Sequence, residues 1–150
     1  MAGWTNRGKK NVLDIVYRGA TPPTNFYIAL VTDTPTADTN VMSDLTEIAA
    51  GNGYTSGGFE LDRNSTDFDS LVEDDTGDQG ELKIKDVSWL ASGGSIPSSG
   101  DGALYAVMID DNGTVSSREV WHYWSLTSAR SVGAGATLTL QDLELDLNES

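Results

Sequence analysis

Apolar residues recur along this chain mostly at every second position, in short runs broken by glycine, serine and aspartate. Phe26, Ile28 and Leu30 alternate with Tyr27, Ala29 and Val31, so both faces are apolar. That pattern predicts a central strand covered on both sides. Ala103 to Ile109 has the same two-sided character. Gly58 to Arg63 reads as a strand with Phe59 and Leu61 on one face, and Phe68 to Val72 as a further strand with less apolar content. Between Glu81 and Leu90, Leu82 and Ile84 keep one phase while Val87 and Trp89 keep the other. A β-bulge near Asp86 would return both pairs to one face. Ala136 to Leu147 changes phase in the same way, which places a bulge or tight turn at Gln141-Asp142. The Asp110-Asp-Asn-Gly113 stretch predicts a primed hairpin turn leading into Arg118 to Leu126, with Val120, Trp121, Tyr123 and Trp124.

Helical periodicity is confined to two places. Val12, Ile15 and Val16 form a stripe over Asn11 to Arg18, Gly19 offers a left-handed stop, and Pro22-Pro23 prevents resumption. Around residues 43–50, Asp44 and Glu47 suit a first helical turn, Leu45, Ile48 and Ala49 share a face, and Gly51 offers a cap. Residues 1–10 are polar and read as an N-terminal arm, with 11–150 as a single β-rich domain. The fold class expected is mainly β: an antiparallel β-sandwich, or a partly closed barrel, of about seven or eight strands. It carries a short N-terminal helix and one further short helix. A chain of 150 residues can bury a core of that kind without staples.

Charge changes the picture. The chain has 9 Lys and Arg against 23 Asp and Glu, a net charge of −14. Arg7, Lys9, Lys10 and Arg18 face only Asp14 within the first 18 residues, so the N-terminal segment is basic and the body strongly acidic. Such a body repels nucleic acid, and no nucleic-acid partner is expected. No apolar run reaches the length of a membrane span and no signal peptide is recognisable, so no membrane association is expected. The absence of cysteine excludes disulfides, zinc–thiolate sites and a thiol nucleophile.

Candidate chemistry is sparse. His122, the single histidine, lies between Trp121 and Tyr123 with no nucleophile or orienting motif beside it, and reads as a packed strand residue. Paired carboxylates of the glycosidase type are uninformative among so many acids, most of them in solvated turns. Asp74 to Glu81 and Asp110 to Gly113 offer oxygen ligands for calcium, but neither has EF-hand spacing, and both read as solvated hairpin tips. No catalytic, cofactor-binding or metal-binding residues are therefore assigned, and no cofactor is expected. By alternation Trp121 and Tyr123 share one face and Trp124 points the other way. That assigns Trp121 to the core and Trp124, with Arg7, Lys9 and Lys10, to a partner interface.

The order of parts carries one further implication. An N-terminal helix precedes the strand Asn25 to Thr32, and a Thr34-Pro35 turn follows it. Then come Glu47…Gly51-Asn-Gly-Tyr54, Val87-Ser-Trp89 and finally Gly135-Ala-Thr-Leu-Thr-Leu140. Over roughly residues 11–147 this succession resembles a family of small structural proteins of tailed-bacteriophage virions. The resemblance implies a non-enzymatic virion protein, assembled in the host cytoplasm. Its expected role is head decoration that cements the capsid. A tail or tail-fibre-associated part and a carbohydrate-binding host-attachment module are the alternatives. The partners implied are the major capsid protein or other virion proteins, with self-association left open.

Overall fold

β2 (Asn25–Val31) and β7 (Ala103–Asp110) pair antiparallel at the centre of a five-stranded sheet. β8 (Val120–Arg130) and β1 (Ala2–Trp4) extend it on one side and β3 (Phe59–Asp62) on the other. β4 (Ser70–Asp74), β5 (Gln79–Ile84) and β10 (Leu143–Asn148) form a second sheet, and β6 (Val87–Leu90) pairs with β9 (Thr137–Leu140) in a third. α1 (Asn6–Arg18) is the one α-helix among the described residues, beside two single 3-10 turns at Met42–Asp44 and Val115–Ser117. The structure, a computed structural model, describes residues 2–148. It is mainly β, with ten antiparallel strands in three sheets and no closed barrel among the described residues.

The second and third sheets are two halves of one bent ribbon. Leu143 pairs with Ile84 and Leu140 with Val87, so the ladder continues across the interruption. Both strands change phase at the same level, Asp142 sits at φ 54°, and Gln141 Nε2 donates to Asp86 Oδ2 at 3.0 Å across the two kinks. The kinks return Ile84, Val87, Trp89, Leu138, Leu140, Leu143 and Leu145 to one core, as the two phase changes in the sequence require. That core lies against Phe26, Ile28, Leu30, Met108, Trp124 and Leu126 of the five-stranded sheet, giving a sandwich-like arrangement. The far face of the large sheet buries Ala29, Val31, Val107, Ile109 and Val120 beneath Met42 and Leu45.

Three expectations are corrected. The first ten residues are not an extended arm. Ala2–Trp4 pair with His122–Trp124, and Thr5 caps α1 by accepting from Gly8 N at 2.9 Å. The buried Thr5 hydroxyl also donates to Val120 O at 2.6 Å, and Thr5 N donates to Trp121 O at 3.0 Å. Gly8 lies so close to the β8 backbone that a Cβ there would fall 2.2 Å from Trp121 O. The second helix, at 43–50, shrinks to Met42–Asp44, because tertiary hydrogen bonds hold the rest extended. Ile48 N donates to Leu30 O at 3.0 Å and Thr46 N to Asp33 Oδ2 at 2.6 Å. The β7–β8 connection is not a two-residue hairpin turn. It runs from Asp111 to Glu119, with Asp110 Oδ1 accepting from Glu119 N at 3.0 Å.

The Glu…Gly-x-Gly-Tyr element is a lock on β2. A Cβ on Gly53, at φ +110°, would lie 2.1 Å from Leu90 O, so only glycine permits the approach. The turn delivers Tyr54 to the core, where its hydroxyl accepts from Leu30 N at 2.9 Å and donates to Glu47 Oε1 at 2.8 Å. Burial and the neighbouring Glu47 charge push the phenol well above its usual range, so it remains a donor. Tyr54→Phe leaves the Leu30 N–H without this acceptor and is expected to cost about 1–3 kcal/mol in denaturant unfolding. Unchanged stability would show that the lock is idle.

Candidate interaction surface

Sequence alternation misplaces the aromatic strand for an identifiable reason. Met108 pairs with His122 but Ile109 with Val120, so Trp121 is the extra residue of a β-bulge. The bulge turns Trp121 to the same side as Trp124 and Leu126, while Val120 and Tyr123 pack on the far face. Trp124 is therefore no partner residue. It is 6% exposed, and its indole donates to Glu144 O at 2.8 Å. Trp4 does the same to Asp146 O at 2.8 Å. Two indoles thus occupy the outer carbonyls of β10 and clip its edge to the large sheet.

His122 sits 3% exposed in the same corner, with Trp4 edge-on at 5.3 Å and Trp124 at 4.4 Å between ring centroids. Its Nδ1 has no hydrogen-bond partner among the described residues. Burial lowers its pKa from 6.5 to about 3, so the ring is neutral near pH 7. The unfolded chain accepts a proton near pH 6.5 that the folded state refuses, so stability is full above that pH and falls as pH drops toward about 3. The slope is at most about 1.4 kcal/mol per pH unit. Asp110, Glu144 and Asp146, all raised, act in the opposite sense, so the measurement is a difference. Stability of the native protein against pH should fall more steeply on acidification than that of His122→Phe, and parallel curves would contradict the assignment.

The basic residues assigned to an interface divide. Arg7 pairs with Glu119 at 3.0 Å and Lys10 with Asp14 at 3.0 Å, while Lys9 is exposed at the rim of a groove of about 820 Å³ between α1, β1, β8 and β10. The acidic turns are used locally as well. Asp111 Oδ2 accepts from Thr24 N and Asn25 N, and Asp74 Oδ1 from Thr76 N. Elsewhere Glu81, Glu144 and Asp146 bring carboxylate oxygens within 4.8 Å of one another. The hydrogen bond to Glu81 raises Glu144, burial and then the Glu81 charge raise Asp146, and Glu81 is lowered by Glu144 and Lys83.

Another surface emerges from residues that charge and motif do not single out. On α1, Val12 and Ile15 pack on the core, while Leu13, Val16 and Tyr17 stand exposed at i, i+3 and i+4. Tyr17 is 78% exposed and Leu71 on β4 is 77% exposed. Val72 and Leu147 are exposed nearby, and Leu13, Tyr17, Leu71, Val72 and Leu147 line one open groove. Its floor continues the core face of the second sheet: Leu71 pairs with Leu82, Leu82 with Leu145, and Gly80 lies between Glu73 and Leu147. The second stripe on α1 was readable from the Leu13, Val16, Tyr17 spacing. The β4 part was not, because nothing local tells an edge strand from a covered one. No helix among the described residues is long and apolar enough to cross a membrane. No family model, curated protein or solved structure matches this chain.

Proposed function

We propose that this chain is a non-enzymatic structural protein of a tailed-phage virion, and specifically a decoration protein that cements the head. The motif order from Asn25 to Leu140 supports the virion setting. The observation that carries the reading is the set of exposed apolar residues Leu13, Tyr17, Leu71, Val72 and Leu147 around one open groove, on a body of net charge −14. Large apolar side chains gathered in the open around one groove of a strongly charged domain suit a place where another macromolecule docks. The fold suits such a part. Two indole clips, an internally capped helix and the Tyr54 lock tie β10, α1 and β2 into one body.

Quantitative mass spectrometry of purified particles tests the placement. A head cement is expected in copy numbers that scale with the major capsid protein. A stoichiometry matching tail proteins would move the chain to the tail, and its absence from particles would overturn the virion reading.

A further inference from the structure

β4 differs from the other sheet edge on its side of the molecule. The outer carbonyls of β10 are occupied by the Trp4 and Trp124 indoles, whereas β4 is a terminal strand paired only with β5. Terminal strands are commonly guarded by lysine, proline or a bulge, because an open edge recruits further strands. β4, Ser70-Leu-Val-Glu-Asp74, has no lysine or proline and keeps an unbroken register with β5; its only charges, Glu73 and Asp74, are acidic and guard it against acidic strands, not cationic ones. Its large apolar residues, Leu71 and Val72, are both exposed.

The chemistry of the rim selects the occupant. Glu73, Asp74, Asp75 and Asp78 border the groove, and no lysine or arginine lines it among the described residues. A second copy would bring the same carboxylates and another net charge of −14, so like charges oppose self-pairing at this edge. A strand carrying cations beside its apolar anchors meets the opposite situation, and main-chain pairing along β4 supplies the register.

We infer that the groove between the outer face of α1 and the free edge of β4 takes an extended segment of a neighbouring protein in which apolar anchors alternate with lysine or arginine. The inference rests on the virion reading for where that neighbour is found, but the groove's chemistry can be tested without it. A blocked synthetic peptide of alternating valine and lysine, titrated into the isotope-labelled full chain, is expected to shift amide resonances at residues 70–74, 13–17 and 147. A valine–glutamate peptide is expected to leave them unmoved. Leu71→Asp should weaken binding of the lysine peptide about tenfold or more, because it takes a large apolar side chain out of the groove. That substitution adds a negative charge, so general attraction between opposite charges would strengthen binding instead. Leu90→Asp, at an exposed position that does not line the groove, should bind like the native protein. Shifts spread over the acidic surface, or binding undiminished in Leu71→Asp, would overturn the inference.

Hydrogen exchange of the protein on purified particles separates the two readings. Protection at 70–74 relative to the free protein supports both. Attachment to particles with 70–74 exchanging freely overturns the groove and leaves the virion role. Peptide binding at β4 by a protein absent from particles leaves the groove and overturns the role.

Discussion

Deleting residues 1–10 is expected to unfold the protein or bring it close to unfolding. The deletion removes β1, the Trp4 clip on β10, the Thr5 cap and the glycine on which α1 rests against β8. Loss of a packed tryptophan costs about 3–5 kcal/mol and loss of a helix cap about 1 kcal/mol. Typical domains have only about 5–15 kcal/mol in total. The Trp121 bulge would also lose the Thr5 amide and hydroxyl that hold its carbonyls. Circular dichroism of the truncated chain, with thermal melting, makes the comparison. A truncated chain that melts with the full-length protein would restore the arm and contradict the β1 pairing.

Trp124→Ala is the second large effect. The side chain belongs to the core between the sheets, and its indole holds the β10 edge through Glu144 O. Truncating a buried tryptophan places the loss at about 3–5 kcal/mol, which in a domain of this size lowers Tm by roughly 10 °C. Trp121→Ala should do much the same, since the bulge puts both rings in one core. Equal destabilisation separates this structure from simple alternation, which would make one tryptophan core and the other interface. Unchanged melting in Trp124→Ala, with loss only of assembly, would contradict it.

What the sequence disclosed and what it concealed divide along physical lines. The two-sided strands β2 and β7 were legible because burial on both faces leaves no polar positions to choose between. The kinks at Asp86 and Gln141-Asp142 were legible because each apolar run changes phase, and a core on one side cannot accommodate that without an extra residue. Gly19, at φ 74°, ends α1 as its position suggested. The start of α1 was hidden. Gly8 lowers helix propensity, and its reason for being there, the approach to Trp121 O, lies more than a hundred residues away. β1 is three residues long, too short to show a period. The segment at 43–50 has good helix signals, but Glu47 is drawn to Tyr54, Ser56 and Gly57 and Ile48 to Leu30, so tertiary hydrogen bonds override local preference. The Trp121 bulge was the costliest concealment. A strand apolar on both faces gives no phase signal when it slips, and the Trp124 interface assignment failed there.

The candidate surface was half legible. Arg7 and Lys10 drew attention by charge, yet both are paired within the chain. The second stripe of α1 was present in the spacing of Leu13, Val16 and Tyr17, and only the fold shows that β4 and Leu147 stand beside it.

The proposed role makes this protein a fixed part of a phage particle, held by its open apolar face. A cryo-electron microscopy map of the purified particle is the decisive measurement. Density for the sandwich-like body is expected at repeating positions on the head lattice, with α1 and β4 turned toward the shell. Particles lacking that density on both head and tail, or density oriented with α1 and β4 facing solvent, would contradict it.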